Sequence, residues 1–450
     1  MARTPGVGKP EILACVMFVL DHKGLRTQEF DLLKYNPSFT VVQSMNSNHI
    51  TAQVQFTESE GTFTRYNKVG IQGQEFLIIH FRTPDKKEVK LEFFVHKIDG
   101  IDFSRQNQTS MLTLHCVTKE RLISTISSVN RGFINKTFGQ AAAGIYYSDI
   151  LRNRVYRNYF EDKQYSPFVS FEIREFDLHP TDGIQDWVIP GLQPDDAIEF
   201  CARRSLGKGT PMNLFLYYET FDGYCFHNVE KLINDGLKLV KERDLVFFYK
   251  PNEEGTIPVD PLRKVENIGG VHLADTIDRI GTGAFRNKVR TVNLINQNYN
   301  DVRYNYSTEN RQATLGETFL IDKEFQDVFL ANDEYEILLL KDNSKKNQFF
   351  EYIQGHRMAY TQQLTSMTCS IEIQGDTSII PGTVCEFSIP EMAGTSSTER
   401  IEPTKFSGNW LISDVVNTFD QENHRTSLNL IKDKTVATSG FPGFDLSLST

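Results

Sequence analysis

The stretch that decides the fold is residues 73–81, GQEFLIIHF, followed by 91–98 (LEFFVHKI) and 110–120 (SMLTLHCVTKE). A similar succession occurs near the other end of the chain, in 382–389 (GTVCEFSI), 408–416 (GNWLISDVV) and 425–433 (RTSLNLIKD). Each set has a strand-like stretch that opens on Gly, an aromatic-containing one, and one of alternating apolar residues that reaches Lys-Glu or Lys-Asp. Two similar β modules predict a duplicated scaffold rather than a single catalytic pocket.

The composition favours a β-rich protein with several domains. A chain of 450 residues exceeds one ordinary core, so we expect roughly two to four domains. Phe (33) and Tyr (17) are abundant, and aromatic residues favour half-buried, pleated surfaces. The net charge of −10 argues against general DNA binding, which needs Lys and Arg to displace counterions. It fits a soluble surface or one that repels a polyanion.

The cysteines and the apolar run near the start indicate neither a metal site nor a membrane segment. The six cysteines form no C-x-x-C pair, so we expect buried, reduced thiols and no zinc; they are Cys15, Cys116, Cys201, Cys225, Cys369 and Cys385. Residues 12–20, ILACVMFVL, are too few for a membrane helix, which needs about 20 residues. They predict a buried strand that enters a turn at Gly24, and we expect no membrane anchor.

Residues 1–10 are rich in Gly and Pro and predict an arm, and from Glu11 to about Thr118 the chain follows a pattern of strands and turns. In 49–58, HITAQVQFTE, the apolar residues Ile50, Ala52, Val54 and Phe56 face one way and polar residues face the other. This period of two predicts a strand with one exposed face. We therefore expect a first barrel or sandwich to be complete before residue 120.

Helical periodicity begins at Lys119. Apolar residues at helical spacing predict helices over 120–129 and 141–155. Pro194, followed by two aspartates, marks a further helix start, because Pro is tolerated in the first turn and acids suit the positive end of the helix dipole. Residues 119–345 are thus predicted to contain linking helices and a mixed α/β part, and could contribute strands to the second β module.

Further strands are predicted within this middle part. Residues 213–218 and 223–226 read as a hairpin, followed by a helix from Val229. The polar and aromatic stretch 301–312 is either an exposed strand pair or a loop. EYEILLL, within 333–341, predicts a strong strand.

The second β module is assigned to residues 346–435. Apparent alternation over 358–374 predicts the strand that opens it. Residues 436–450 are rich in Gly, Ser and Pro and predict a flexible segment.

Two short motifs invite a catalytic or binding interpretation but favour a structural one. Gly281-Thr-Gly283 resembles a phosphate loop, yet it lacks the third glycine and the lysine, so we expect a helix-ending turn. Asp195 and Asp196 could form an acid pair, but neighbouring residues on a helix point apart, so helix capping is the better interpretation.

Other candidates are equally weak. Glu58 and Glu60 share a strand face, as glycosidase carboxylates could, but an apolar pocket is lacking and we expect both to be solvated. The ten histidines show no H-x-x-x-H, H-x-H or H-E-x-x-H spacing, and a G-x-S-x-G motif is absent. The densest basic–aromatic run predicts an exposed helix face or a grip on an acidic partner; it comprises Arg152, Arg154, Tyr156, Arg157 and Tyr159.

The order and spacing of several stretches resemble one family, the baseplate hub proteins of contractile-tailed bacteriophages, which are related to the hub part of type VI secretion spikes. The matching stretches lie within 50–433, and 255–347 matches poorly. They are GQEFLIIHFRTP (73–84), MLTLHCVTKE (111–120), 188–202 with 215–226, QGDTSIIPGTV (374–384), SGNWLISDV (407–415) and 426–433.

The resemblance implies a mainly β fold with an α+β insert. Two tail-tube-like antiparallel β-barrels, 1–118 and 346–435, would flank a small mixed α/β domain within 119–345. Three chains would form a ring of six similar barrels that joins a threefold central spike to a sixfold tail tube. The implied partners are two further copies, the spike, the tube initiator and other baseplate proteins.

The same resemblance implies a structural role without catalytic residues, cofactor or metal. Viral DNA would pass through the lumen without specific binding. The protein would be made in the host cytoplasm and reside in the virion. The sequence leaves two other classes open: a tail-associated cell-wall hydrolase, and a receptor-binding or adhesin module.

Overall fold

The computed structural model describes residues 11–20, 26–58, 63, 71, 73–82, 88–104, 109–152, 174–208, 213–240, 245–249, 261–293, 297–306, 314–316, 336–340, 350–388, 404–420 and 423–435. The predictions of a turn at Gly24 and of a flexible segment over 436–450 lie outside these residues.

The first part of the chain is built of strands. They are β1 (Glu11–Leu20), β2 (Arg26–Asp31), β3 (Ser38–Ser44), β4 (Thr51–Glu58), β5 (Phe76–Arg82), β6 (Glu88–Ser104) and β7 (Thr109–Thr118), with a 3-10 turn at Leu32–Tyr35. The expected alternation in β4 is confirmed, because Ala52, Val54 and Phe56 are buried while Thr51 and Gln53 are exposed.

The middle part mixes helices and short strands. Its helices are α1 (Lys119–Ile126), α2 (Phe138–Ile145), followed by a π-helical turn (Tyr146–Leu151), α3 (Pro194–Arg204) and α4 (Val229–Leu239). Its strands are β8 (Val129–Lys136), β9 (Glu175–Leu178), β10 (Thr181–Asp182), β11 (Gln185–Leu192), β12 (Leu206–Gly207), β13 (Phe215–Thr220), β14 (Gly223–Asn228) and β15 (Val246–Phe248).

The last part returns to strands. They are β16 (Val265–Leu273), β17 (Arg286–Asn293), β18 (Asn298–Asn305), β19 (Glu336–Leu340), β20 (Met367–Gln374), β21 (Val384–Ser388), β22 (Gly408–Phe419) and β23 (His424–Lys432). Two helices, α5 (Thr276–Gly281) and α6 (Phe350–Leu364), and a 3-10 turn (Pro261–Arg263) complete the elements. All six strands of the two opening patterns are confirmed.

One 13-stranded sheet unites both β modules. Its order is β16-β20-β23-β22-β3-β4-β7-β6-β5-β1-β2, with β21 beside β22 and β15 beside β21. The mainly β expectation is confirmed, but the expected closure into two barrels is not found in the part of the chain that the structure describes. The physical reason is that β3 pairs with β4 along one edge and with β22 of the second module along the other. Neither edge of β3 is left to close the first module, so the sheet continues from one module into the other.

The apolar cores follow this arrangement. One core lies under β1–β7 and includes Phe81, Phe93 and Leu114. Another lies under β20–β23 around the fully buried Trp410. A third holds α2 and α3 against the β13–β14 hairpin, and a fourth packs α4 and α6 beside the second module. The domain boundaries given above remain a prediction.

Two predictions of secondary structure were wrong. Residues 358–364 belong to helix α6, and the strand begins only at Met367. The buried residues Ile353, Tyr360 and Leu364 follow helical spacing. The strand was predicted from residues 358–374 alone, and this range contains only the last two turns of the helix, so the helical spacing was not recognised. The strand β8 was also missed: the helix expected over 120–129 ends at Ile126, and Val129 already belongs to the strand.

Other predictions fared better. Pro194 begins α3, Val229 begins α4, and the expected hairpin is β13–β14. The EYEILLL stretch contains β19. The open choice at 301–312 is resolved toward a strand through Asn305, where β18 pairs with β17; residues 307–312 lie outside the described ranges.

Candidate assembly site

The two β modules meet where β3 pairs antiparallel with β22. The register runs from Asp414 opposite Ser44 to Phe419 opposite Phe39. The Phe39 and Phe419 rings stack with centroids 4.7 Å apart, and Phe81 approaches Phe419 at 5.0 Å. Because Phe419 belongs to the second module by sequence yet lies in the first core, it joins the two.

Polar contacts reinforce the junction. Ser44 Oγ donates to Asp414 Oδ1, and Ser413 Oγ donates to Asp414 Oδ2 at 2.7 Å. Gln43 Oε1 accepts from the Phe221 backbone N at 2.9 Å, which connects the junction to the turn of the β13–β14 hairpin. The first module, the second module and the α/β part therefore converge at one place.

A buried histidine connects the first module to the α/β part. His49, between β3 and β4, lies with Nε2 2.8 Å from Asp195 Oδ2 and Nδ1 3.1 Å from Tyr224 Oη. Arg121 Nη1 donates to the same Asp195 oxygen at 3.1 Å. Burial alone would raise the pKa of Asp195, but hydrogen bonds from His49 in particular outweigh burial, and the pKa lies below its ordinary value.

A second buried carboxylate completes the cluster. Glu219 Oε2 accepts from the Ile50 backbone N and from Thr118 Oγ1, both at 2.8 Å, while Oε1 accepts from Arg174. Burial raises the pKa of Glu219, and the Arg174 guanidinium opposes this shift. Glu219 thus ties β4 and the end of β7 to the hairpin. We call His49, Thr118, Arg174, Asp195 and Glu219 the buried charge cluster.

The geometry of the buried charge cluster suits structure better than catalysis. Asp195, His49 and Thr118 superficially form an acid–base–hydroxyl series, since His49 Nδ1 lies 3.3 Å from Thr118 Oγ1. However, the three residues are 0%, 5% and 1% exposed, and the Thr118 hydroxyl donates to Glu219. A substrate has no access to this hydroxyl, whereas buried charges that are paired and hydrogen-bonded fix the geometry of the elements that carry them.

Of the acidic residues singled out from the sequence, Asp195 and Asp196 point apart as expected, whereas Glu58 differs from expectation. Asp196 is exposed in the first turn of α3, as a dipole-facing acid should be, but Asp195 is turned inward to His49. The solvated state expected for Glu58 was wrong: it is 1% exposed and its carboxylate accepts from the Phe63 backbone N at 3.2 Å. Phe63, five positions further along the chain, lies against this carboxylate. Glu60 lies outside the described residues.

The remaining candidates are structural where the structure describes them. Gly281 ends α5 and Gly283 follows in a left-handed conformation (φ 71°), so the helix-ending turn is confirmed. All six cysteines are buried and unpaired. Over the described ranges, no group of three or more His, Cys, Asp or Glu side chains could hold a metal ion. Of the basic–aromatic run, only Arg152 is described, and it is exposed.

Sequence reasoning missed His49, Arg174 and Glu219. One signal was present: Glu219 is a lone carboxylate in the apolar run NLFLYYET, and an acid in a strand buried on both faces must find partners. Two of those partners, Ile50 and Thr118, lie more than 100 positions away in the sequence, and Arg174 lies 45 positions away.

Two strands at the ends of the sheet have one paired neighbour each in the described part of the chain. β2 pairs only with β1, and β16 pairs only with β20, within the described chain. β16 carries register shifts around Gly269 and Gly270. An edge strand presents backbone groups that can pair with another chain. Within the described residues, β2 and β16 are therefore two different edge strands of one sheet, and β15, which pairs with β21 and bridges through Phe248 to Lys264, is a third.

Comparisons with known proteins identify the fold. No protein-family model and no curated protein sequence matches the chain. The 43 kDa tail protein of prophage MuSo2 from Shewanella oneidensis is similar, with a TM-score of 0.50 and 9% identity over 93% of this chain and 98% of that one. A tail protein from Neisseria meningitidis MC58 matches with a TM-score of 0.51 and 9% identity, over 93% and 96% of the two chains.

A type VI secretion component from E. coli aligns with 88% of this chain and 73% of its own at a TM-score of 0.39 and 9% identity, too low to define a shared fold. The chain has the fold of the two tail proteins, so the resemblance expected from the sequence is confirmed at this coarser level. Among the described helices, none is both long and apolar enough to cross a membrane.

Proposed function

We propose that the protein is a structural, non-catalytic component of a contractile phage tail, and specifically its baseplate hub. The observation that carries this proposal is the fold, which follows two tail proteins over 93% of the chain. Three copies would form a ring in which six similar β modules surround a lumen. The ring would join a threefold spike to a sixfold tube, with the spike on one side and tube-initiator proteins on the other.

The sheet edges support a ring. β2 and β16 differ in sequence and lie at opposite ends of the sheet, so an edge-to-edge contact between copies would be heterologous. Heterologous contacts close into rings when the rotation between copies permits. Pairing between copies would also cover both edges and complete the barrels that one chain leaves open.

The charge supports passage of DNA. With 58 acidic and 48 basic residues the chain has a net charge of −10, which disfavours general adsorption of DNA. We propose that the lumen is electronegative, so that viral DNA passes without adsorbing. A ring whose lumen-facing residues are net basic would contradict this part of the proposal.

The oligomeric state tests the hub. Light scattering after size exclusion should give about three times the chain mass of 51.6 kDa for the protein alone, or three copies of the chain plus the spike for the complex. Particle images should show threefold symmetry with a sixfold-like inner ring. A chain that remains monomeric with its spike partner, or a ring of any other order, would overturn the proposal.

A further inference from the structure

The two β modules share one strand order. Across the sheet, the first module reads β3-β4-β7-β6-β5 and the second reads β16-β20-β23-β22-β21. Every neighbouring pair within each series is antiparallel. By position in the sheet, β16 is therefore the counterpart of β3, and β22 is the counterpart of β6.

An irregularity at the same place in β6 and β22 supports this correspondence. The ladder of β6 with β7 shifts register between Val95 and Lys97, and the ladder of β22 with β23 shifts between Ile412 and Asp414. In both strands the residue before the shift donates its backbone N–H to the residue that precedes β5 or β21. A β-bulge is a specific feature of a strand, so Val95 corresponds to Ile412 and Lys97 to Asp414.

The two counterparts differ in what occupies the edge beyond the bulge. In β22, Asp414–Phe419 pair with β3. In the described part of the chain, no strand pairs with the same edge of β6 from Lys97 to Ser104. Within those ranges β16 pairs only with β20, whereas its counterpart β3 pairs with both β4 and β22. One copy thus has a strand and an edge that correspond to the two sides of its own junction.

We propose that β16 of one copy pairs antiparallel with the second half of β6 in the next copy and so repeats the β3–β22 junction between chains. The inference rests on the ring proposed above and names the contact between its copies, with β6 rather than the end strand β2 receiving β16. Each copy gives one strand and receives one, so the contact is heterologous and continues the sheet from copy to copy. Backbone hydrogen bonds then satisfy both edges.

The ladders fix the register of this contact. Residues opposite one another across four strands form two matching rows: Val95, Cys116, Ala52 and Val41 in the first module, and Ile412, Leu430, Cys369 and Val271 in the second. Val41 therefore corresponds to Val271, and the two residues that follow each of them correspond as well. β16 departs from β3 only before this point, where its ladder shifts around Gly269 and Gly270.

The exposed side chain of Leu273 fits this register. In the junction within the chain, Val415 lies opposite Gln43, and both are fully buried. The corresponding pair between copies is Ile98 with Leu273, which is 51% exposed in the single chain. Contact with Ile98 removes this apolar surface from water, which favours association.

A polar pair fits the other face of the sheet. Val416 lies opposite Val42 in the junction within the chain, and the corresponding pair between copies is Asp99 with His272. His272 is exposed, and the side chain of Asp99 is 45% exposed. An imidazole N–H can donate to a carboxylate, so the two side chains are compatible neighbours across the strands.

Cysteine crosslinking tests the contact in the full chain. Chains with Asp99→Cys and chains with His272→Cys are mixed, assembled and oxidised with copper phenanthroline; a covalent dimer should form only when both are present. The six native cysteines are buried. The matched control is one chain with Val42→Cys and Val416→Cys, the corresponding pair of the internal junction, which should crosslink within that chain.

Light scattering on the same samples separates this inference from the ring itself. A trimer in which His272→Cys crosslinks to Glu29→Cys on β2, or to neither partner, would overturn the inference and leave the ring standing. A chain that stays monomeric with its spike partner overturns both.

A charge at Leu273 provides a second measurement. Leu273→Asp places a carboxylate against Ile98 and should raise the dissociation constant of the oligomer about tenfold or more. Ile277→Asp, at a residue just beyond β16 that is 79% exposed, is the matched control and should leave the constant unchanged. Equal dissociation constants for the two variants would contradict the proposed pairing.

Discussion

His49 Nε2 lies 2.8 Å from Asp195 Oδ2, although 146 positions separate the two residues in the sequence. The contact fixes the start of β4 against the first turn of α3. It holds the α/β part against the first module close to the junction where β3 pairs with β22 of the second module.

Replacing Asp195 should be costly, whereas replacing its neighbour should not. Asp195→Asn keeps the size of the side chain but removes the charge that accepts from His49 and Arg121, so we expect a loss of about 1.5–3 kcal/mol in the free energy of unfolding. Asp196→Asn, at an exposed position, should change it by less than about 0.5 kcal/mol. Urea unfolding at pH 7 measures both.

The pH dependence of this difference has a definite sign. Because the pKa of Asp195 is lowered in the folded state, its stabilising contribution is present above the unfolded pKa of about 3.9 and is lost as the pH falls through the folded value. The difference between Asp195→Asn and the wild type should therefore shrink below about pH 4. A difference that persists unchanged at low pH would contradict the assignment.

Glu230 should make the protein less stable as the pH rises. It is 0% exposed on α4, and burial raises its pKa to about 9 while burial lowers that of the adjacent His356 to about 4. The two side chains, 3.3 Å apart, are therefore a neutral pair at pH 7 rather than an ion pair.

Because the folded state retains this proton and the unfolded state releases it above its ordinary value of 4.5, unfolding is favoured as the pH rises. Glu230→Gln has no titrating carboxyl at this position. The free energy of unfolding of the variant, relative to that of the wild type, should therefore increase by about 1.4 kcal/mol per pH unit between pH 5 and 8. Asp235→Asn, on the exposed side of the same helix, is the control and should show no such slope. A flat difference for Glu230→Gln would refute the raised pKa.

Gly223 should not tolerate a side chain. It opens β14 with φ 146°, and a Cβ there would lie 2.5 Å from the backbone oxygen of Glu175 on β9. Gly223→Ala should destabilise the protein by more than about 1 kcal/mol. Gly144→Ala, inside α2 with open space around it, should instead stabilise by about 0.5–1 kcal/mol. Thermal unfolding of the two variants should shift in opposite directions.

Phe419 should matter to both β modules. Phe419→Ala removes the ring that packs on Phe39 and Phe81, and truncation of a buried Phe costs about 3–5 kcal/mol. Phe248→Ala, at a site 39% exposed, should cost clearly less. In the Phe419→Ala variant, backbone hydrogen exchange should accelerate in β3 and in β22 together. Acceleration confined to one of these strands would mean that the junction does not couple the modules.

Much of the secondary structure could be predicted from local sequence patterns. The alternation in 49–58 predicted β4, and Pro194 with two acids predicted the start of α3. Where the pattern was ambiguous the prediction failed: the helix expected over 120–129 ran into β8 at Val129, and the window over 358–374 mixed the end of α6 with β20. Both errors arise because a few apolar residues fit either period until the neighbouring element defines the buried face.

The strands near both ends of the chain and several of the elements between them could be predicted from the sequence alone, because alternation and turn residues act over a few positions. Only the tertiary structure decided that β3 joins β22 in one open sheet, that Asp195 faces inward and that Glu58 is buried. These outcomes depend on which distant segment covers a side chain or pairs with an edge. Burial then sets the hydrogen-bond partners and the pKa values of these side chains. A local stretch of sequence does not show which distant segment will cover it.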